Sequence, residues 1–306
     1  MPFRQWVFLS KILRMTTPSG LATRRTAPRV PASAYFGISA IFHYLGPAFA
    51  VLLFARVDVL GVAWLRIAAA AVVFAIWRKP WRLVRRLTPE QRWVLLGLGV
   101  VLATMNATFY LAIERLPLAT VGAIEFLGTI VLAAIGIRNG RNGIALVLAI
   151  AGVVALVDIQ LAGAPWGFVF AFVNCALFML YVVLGHRIAN TDRGLSGIDQ
   201  LAAAMLIAAV VATPFCLGSA IPALTSPAAL LAGVGVGVCS SVIPYVTDQL
   251  AMARLRRHTF ALMLSILPAV ATVIGIVVLT QIPTLQELTG IALIAVGVLI
   301  HQESKE

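Results

Sequence analysis

Residues 58 to 77 read DVLGVAWLRIAAAAVVFAIW, an apolar run with one cation, Arg66, near its middle. A run of about 20 residues spans about 30 Å as an α-helix, which is the thickness of the hydrocarbon core of a bilayer. This stretch therefore predicts a transmembrane helix that buries a guanidinium group.

The composition extends this interpretation to the whole chain. Of its 306 residues, 61% are apolar and 11% are charged, and the mean hydropathy is +1.00, whereas soluble domains carry about 25% charged residues. A soluble globule is excluded. The net charge of +12 does not indicate a nucleic-acid partner, because that would need a basic domain or stripe. Here the basic clusters are short connectors between apolar runs, so we expect them to face the surfaces of a lipid bilayer.

Ten apolar runs of membrane-spanning length follow one another with short breaks, which predicts an all-α integral membrane protein. The predicted spans are residues 34 to 54, 58 to 77, 93 to 113, 118 to 137, 142 to 161, 166 to 185, 198 to 218, 229 to 251, 259 to 279 and 284 to 301.

The lysines and arginines set the expected orientation, because these residues concentrate in cytoplasmic loops. With the N-terminus inside, all of the 23 Lys and Arg except Arg56, Arg66 and Arg115 fall on the cytoplasmic side. Alternate connectors are basic, so the number of spans and the orientation support each other. We expect a multi-pass membrane protein with both termini in the cytoplasm.

The two halves of the chain resemble each other at an offset of about 140 residues. Arg66-Ile-Ala-Ala-Ala-Ala-Val-Val corresponds to Leu206-Ile-Ala-Ala-Val-Val, and Gly143-Ile-Ala-Leu resembles Gly290-Ile-Ala-Leu. A five-span unit that is repeated once must enter the membrane from opposite sides. Two inverted five-helix repeats are typical of secondary transporters, which bind substrate near the midplane between the repeats.

The chain then divides into four parts. They are a basic cytoplasmic tail (1–33), the first five-helix repeat (34–161), the second five-helix repeat (162–301) and a cytoplasmic C-terminus (302–306). Met15 is an equally good candidate for the first residue.

Two ionisable residues lie near the predicted midplane, where a charge is costly and usually functional. Arg66 is central in the second span, and Glu125 is nearly central in the fourth. Both lie at similar depth, so we expect their head groups to meet in a wet chamber and to be able to pair directly. A purely structural ion pair and a role in binding substrate or protons both remain open.

Other polar residues occur at comparable depth. They are His43, Tyr44, Asn106, Tyr110, Asn174, Tyr181, Ser240 and Ser241. An imidazole gains and loses a proton near neutral pH, so His43 is a candidate proton carrier, although a hydrogen bond to a neighbour is the simpler role. Asp248, near the end of the eighth span, is expected to pair locally with Arg254.

Several other chemistries are not indicated. The cysteines, Cys175, Cys216 and Cys239, lack metal-ligand spacing and are interpreted as core residues. The glycines at 233, 235 and 237 are expected to permit close helix packing. Neither an enzyme motif nor a Walker sequence is present, so no cofactor or metal is expected and any concentrative transport must use a gradient.

Short motifs between Tyr35 and His301 make the chain resemble the EamA family of the drug/metabolite transporter superfamily, in particular its branch of bacterial threonine/homoserine exporters. These motifs are Leu65-Arg66, Met105-Asn106, Phe109-Tyr110-Leu111, Leu116-Pro117-Leu118, Glu125-Phe126-Leu127-Gly128, Pro244-Tyr245, and Thr259-Phe260 leading to Pro268. The resemblance implies a ten-helix, inverted-repeat exporter of amino acids or related small metabolites that lies in the bacterial inner membrane and is driven by proton exchange.

The chain also departs from the family pattern. Thr129 replaces a proline after Gly128, Leu267 stands where the second repeat usually has glutamate, and Thr280-Gln281 replaces a Gly-Glu pair. Glu125 is therefore expected to be the one acid left at the membrane centre.

Together these features predict an exporter of small zwitterionic or amphipathic metabolites. Arg66 would orient a carboxylate, because its planar donors match that group, and Glu125 would attract an amine or exchange a proton. The rings of Tyr110, Tyr181 and Tyr245 would form the cavity wall. The alternatives are a multidrug or toxic-metabolite exporter and a regulatory membrane protein that has lost transport. The sequence leaves open whether the chain is a monomer or a homodimer.

Overall fold

In the computed structural model, the described residues are 31–136, 140–160, 164–191, 197–252 and 266–300, and within these ranges the regular structure is helical. The helices are α1 (Ala32–Leu53), α2 (Val59–Arg78), α3 (Trp81–Arg86), α4 (Pro89–Ile113), α5 (Leu118–Gly136), α6 (Gly140–Gln160), α7 (Pro165–Thr191), α8 (Gly197–Leu224), α9 (Pro227–Gly237), α10 (Ile243–Met252), α11 (Leu267–Leu279) and α12 (Leu285–Ile300). Residues 1–30 and 301–306, Arg254 and the start of the ninth predicted span lie outside the described residues, whereas Ala32 and Ser33, which the sequence assigned to the tail, belong to α1.

Local sequence explains where several helices begin. The Asp58 side chain accepts a hydrogen bond from the Leu60 N–H and caps α2, whereas Thr88 and Gln91 form a reciprocal capping box at the start of α4. Such caps satisfy N–H groups that have no partner within the helix. Every predicted span overlaps at least one described helix, and most boundaries differ by only a few residues.

Five helical segments of the described chain are long and apolar enough to cross a membrane. They are Ala34–Leu53, Val59–Arg78, Pro89–Ile113, Gly197–Leu224 and Pro227–Asp248. The described chain also has shorter apolar helices, of which Gly140–Leu156 and Pro165–Tyr181 lie between these segments and Leu267–Leu279 and Leu285–Ile300 lie after them. The all-helical prediction is confirmed for the described residues, whereas the number of crossings and the inverted arrangement stay predictions.

Helices that are far apart in sequence pack against each other throughout the molecule. α2 packs on α8, α4 on α7 and α8, α5 on α7, α11 and α12, and α6 on α12, whereas α1 lies against α10 and α11. The two hydrophobic clusters that result contain many alanines, such as Ala63, Ala112 and Ala204. Small side chains let helix backbones approach closely, which is the usual basis of packing in a membrane.

One interruption was not expected from the sequence. Between α9 and α10 the chain forms a π-helical turn, Val238–Val242, inside the eighth predicted span. A π turn inserts one extra residue into the helical ladder and often marks a functional site. It brings Ser240 and Ser241 to face α1 and α2, both fully buried.

Close packing explains two of the three glycines that precede this turn. A Cβ atom at Gly233 would lie 2.6 Å from the Leu65 side chain, and one at Gly237 would lie 2.8 Å from the Arg66 carbonyl oxygen. Gly235, by contrast, has open space around it, so that part of the prediction is wrong. The three cysteines are free thiols; Cys175 and Cys216 are buried, but Cys239 is only half-buried.

Candidate functional site

A partly open cavity lies between α1, α2, α4, α5, α7 and α10, and the empty space within it and at its mouth is about 410 Å³. All of the predicted site residues except Tyr110 line it, and Pro47, Met105, Phe109 and Phe178 complete the wall. The predicted members are His43, Arg66, Asn106, Glu125, Asn174, Tyr181 and Tyr245. The residues that the sequence placed at one depth therefore meet in one chamber, and their role in binding stays a prediction.

The cationic wall of the cavity is Arg66, of which only 6% is exposed. Its Nε donates a hydrogen bond to the Ser241 hydroxyl at 2.9 Å, and its Nη2 donates to the Ser240 carbonyl oxygen at 3.1 Å. The guanidinium carbon lies 5.3 Å from the centre of the Tyr110 ring, within range of a cation–π interaction. Arg66 is thus held by neutral acceptors.

The anionic wall is Glu125, of which 5% is exposed. Its Oε1 accepts a hydrogen bond from the Asn174 amide at 3.3 Å, and its Oε2 lies 3.9 Å from His43 Nε2. Oε2 and the Asn174 Oδ1 have no hydrogen-bond partner in the structure. Two buried acceptors are therefore left for a donor that enters the cavity, since a buried polar atom without a partner costs about 1 to 3 kcal/mol.

The expected direct pair between Arg66 and Glu125 is not formed. Neither residue makes an ion pair with the other within the described chain, because each side chain turns to a different neighbouring helix. Arg66 turns to the π turn and Glu125 turns to α7. The two charges instead line the same cavity without a bridge.

Tyr110 also differs from its prediction as a wall residue. Its side chain is fully buried and packs edge-to-face on Phe54, with ring centres 5.8 Å apart. It lies beneath Arg66 and does not line the cavity. Tyr44, another midplane candidate, is likewise fully buried, and neither tyrosine hydroxyl has a hydrogen-bond partner.

Helical spacing could have identified the apolar part of the wall. Phe178 lies between Asn174 and Tyr181 at i+4 and i+7, the positions that share one face of an α-helix. Met105 and Phe109 are similarly one turn apart and flank Asn106. These residues carry no charge, so only their spacing from a polar neighbour pointed to them.

A second acidic group lies near the cavity. The Asp248 side chain, on α10, interacts with Ser39 and with His43. His43 therefore lies 3.9 Å from Glu125 on α5 and within electrostatic range of Asp248 on α10. That Glu125 is the one acid at the membrane centre stays a prediction. The expected partner of Asp248, Arg254, lies outside the described residues.

At the predicted outer face, Gln281 has a clear structural role. Its Oε1 accepts a hydrogen bond from the Leu118 N–H at 3.0 Å and so caps α5. A neighbouring cavity with about 500 Å³ of empty space is lined in part by Thr120, Thr272 and Glu287. The amide at 281 can therefore perform the capping role without a carboxylate.

A metal site does not emerge from the described part of the chain, where no group of three His, Cys, Asp or Glu side chains is placed to hold an ion. The cavity instead offers separated charges, a planar donor and unpartnered acceptors. Such a site can bind a small zwitterion through hydrogen bonds and charge.

Comparison with known proteins agrees with this architecture. The model of the EamA-like transporter family matches residues 165–301. Threonine/homoserine exporter RhtA of Escherichia coli (strain K12) and that of Salmonella typhimurium (strain LT2) are each 33% identical to the chain over 262 residues, which is 83% of this chain and 84% of each relative. A crystal structure of a protein 20% identical in sequence shares the fold, with a TM-score of 0.60 over 88% of this chain and 96% of that one. The chain belongs to the EamA-like transporter family, in the branch of the threonine/homoserine exporters.

Proposed function

We propose that the protein exports amino acids of the threonine and homoserine type, or related small metabolites, across the bacterial inner membrane. The names of its relatives support this cargo. The observation that carries the proposal is the cavity itself, in which a buried guanidinium and a buried carboxylate line one chamber without pairing.

Each end of an α-amino acid finds a complementary wall. The ammonium group donates to Glu125 Oε2 and Asn174 Oδ1, the acceptors that lack partners. The carboxylate accepts from Arg66, whose planar N–H groups suit a carboxylate. The side chain of the substrate then lies against Phe109, Phe178 and the neighbouring aromatic rings.

Transport proceeds by rocking of two inverted five-helix halves, residues 34–161 and 162–301. The packing pattern supports this arrangement, because several of its contacts correspond when each helix is exchanged for the helix at the same place in the other half: α1 for α7, α2 for α8, α4 for α9 and α10, α5 for α11, and α6 for α12. The α1·α10 contact then corresponds to α4·α7, and α1·α11 corresponds to α5·α7, whereas α2·α8, α5·α11 and α6·α12 each correspond to themselves. A two-fold relation between the halves produces such contacts, and five spans in each half would place its axis in the membrane plane.

Proton exchange drives export, with His43 and Glu125 as the exchanging groups. The two side chains are 3.9 Å apart and line the cavity. A proton that enters from outside neutralises the carboxylate and weakens its attraction for the ammonium group, which favours release of the substrate outside. Proton and substrate thus bind in turn at the same site, the Glu125 carboxylate.

The test is efflux of labelled threonine from proteoliposomes, with and without an acid exterior. We expect the wild type to release threonine faster than empty liposomes and to respond to the pH gradient, whereas Glu125→Gln reduces efflux at least about tenfold, as loss of a charged hydrogen bond predicts. Glu114→Gln is the matched control, because Glu114 pairs with Arg115 at the end of α4, away from the cavity. Equal threonine efflux from all vesicles, including liposomes without the protein, would refute the proposal.

A second function, export of drugs or toxic metabolites, is favoured by the aromatic wall of the cavity. Phe109, Phe178, Tyr181 and Tyr245 offer rings to an apolar or cationic compound. Measuring the growth of cells with and without the protein in the presence of such compounds distinguishes a drug exporter from an amino-acid exporter. Resistance that survives Arg66→Gln would favour the drug exporter, because only an amino acid needs the carboxylate partner.

A further inference from the structure

The guanidinium of Arg66 has a fixed orientation, although it lines a cavity. Two of its nitrogens are hydrogen-bonded in different directions, one to the Ser241 hydroxyl and one to the Ser240 carbonyl oxygen. All three residues are buried, Ser241 completely. Because a guanidinium is planar, two such bonds determine both the plane of the group and its rotation in that plane.

The π turn makes this double contact available. An ordinary helix commits its carbonyl groups to its own N–H ladder, whereas the extra residue of a π turn shifts that ladder. Consecutive serines here present a carbonyl oxygen and a hydroxyl to the same arginine. The close approach of α2 to this segment depends on Gly237, where a Cβ atom would lie 2.8 Å from the Arg66 carbonyl oxygen.

The serines contribute by different means. Ser241 binds Arg66 through its side chain, whereas Ser240 binds it through the main chain and its own hydroxyl has no hydrogen-bond partner. Removing the hydroxyl at 240 therefore leaves both bonds to Arg66 intact. Removing the hydroxyl at 241 breaks the hydrogen bond of the Arg66 Nε, so the guanidinium can rotate away from the orientation seen here.

We propose that Ser241 is a positioning residue for substrate recognition: it holds the Arg66 guanidinium so that its remaining N–H donors face the cavity and bind the carboxylate of the substrate. This inference rests on the proposed function. It also gives the second half of the chain a part in recognition, although the two charged groups of the site, Arg66 and Glu125, both come from the first half. Pre-organised donors lose less conformational entropy when the substrate binds.

The experiment compares threonine with threoninamide, which keeps the ammonium group and the side chain but lacks the carboxylate. Exchange of labelled threonine in proteoliposomes is measured against increasing unlabelled threonine or threoninamide, in the wild type, Ser241→Ala and Ser240→Ala. We expect Ser241→Ala to raise the half-saturating concentration of threonine about tenfold at a nearly unchanged maximal rate, as for loss of one charged hydrogen bond. Inhibition by threoninamide should change less than twofold. Ser240→Ala keeps the main-chain bond to Arg66, so it should change the preference for threonine over threoninamide less than twofold, whatever its effect on the rate of exchange.

Two outcomes overturn the assignment while leaving the proposed function in place. One is an equal loss for threonine and threoninamide in Ser241→Ala, which indicates a structural role. The other is the same loss in Ser240→Ala, which indicates a packing effect of either serine. If the wild type itself does not exchange threonine, the proposed function fails, and this inference fails with it.

A second pair of variants applies if Ser241→Ala does not fold. Thr and Val have nearly the same shape, but only Thr has a hydroxyl. We expect Ser241→Thr to keep the preference for threonine over threoninamide. In Ser241→Val, the ratio of the half-saturating concentrations of threoninamide and threonine should fall about tenfold. Equal preference in both variants contradicts the role of the hydroxyl.

Discussion

His43 lies near two acidic side chains inside the helix bundle, those of Glu125 and Asp248. Glu125 faces it from α5 at 3.9 Å, and Asp248 interacts with it from α10. Its side chain is 22% exposed and lines the cavity. An imidazole in this position can accept a proton from the cavity and interact with either carboxylate.

His43→Gln separates binding from proton coupling. The glutamine side chain can still form hydrogen bonds but cannot carry a proton at physiological pH. We expect exchange of threonine at equal pH to remain within about twofold of the wild type, while an acid exterior no longer accelerates efflux, since the proton carrier is gone. Proteoliposome efflux at several pH gradients measures both quantities. Undiminished acceleration by the gradient would remove His43 from the coupling mechanism.

Among the helices, the contact between α1 and the π turn is the tightest near the site. A Cβ atom at Gly46 would lie 2.6 Å from the Ser240 main-chain nitrogen, and this backbone cannot move aside without disturbing the bonds to Arg66. Gly37, on the same helix, has no atom within 4 Å of its hypothetical Cβ. The two glycines therefore form a matched pair.

Alanine at these positions should have opposite effects. Gly46→Ala should destabilise the protein by about 1 to 3 kcal/mol through overpacking and reduce threonine exchange. Gly37→Ala should be neutral or stabilise it by up to about 1 kcal/mol, because alanine favours helix. Thermal unfolding in detergent, together with exchange assays, measures both effects. Similar behaviour of the two variants would contradict the close contact at Ser240.

The end of α11 carries local backbone strain. Thr280 has a φ of 55°, in the left-handed region, while the next residue, Gln281, donates its N–H to the Gly275 carbonyl oxygen at 3.0 Å. β-Branched residues are rare in this conformation, which glycine adopts freely. Glycine would adopt this conformation without that cost.

Thr280→Gly should therefore raise the free energy of unfolding by about 1 kcal/mol, the scale of the left-handed penalty. The control is Thr289→Gly, at an exposed position within α12, where glycine should lower stability slightly because it disfavours helix. Thermal unfolding of the two variants in the same detergent tests the difference. A lower unfolding temperature for Thr280→Gly would show that its side chain contributes more than the strain costs.

For the whole molecule, the inverted arrangement predicts the side of the membrane on which equivalent positions lie. Arg82 follows α2, and Thr225 follows its counterpart α8; both are exposed. A single cysteine at each position, in a variant without the native cysteines, should react with an impermeant maleimide from opposite sides. We expect labelling at 225 in intact cells and at 82 only in inverted vesicles, as the basic connectors indicate. Labelling from the same side would contradict inverted halves.

The sequence by itself determined the positions of the helices and the identity of nearly all polar residues of the cavity. The reason is the bilayer: a lipid environment requires apolar runs of set length, satisfies backbone groups only within helices, and makes every central charge conspicuous. The local sequence therefore predicted that Arg66, Glu125 and Asn174 lie at a similar depth in the membrane. Phe178 was recoverable from its spacing but carried no signal of its own.

The tertiary structure alone decided which of these groups meet. The rotation of each helix about its axis turned Arg66 to the π turn and Glu125 to α7, so the charges line a cavity without neutralising each other. It also placed Asp248 within electrostatic range of His43. These groups are distant in sequence: 175 positions separate Arg66 from Ser241, for example. Such contacts depend on how whole helices pack, which the periodicity of a single span does not specify.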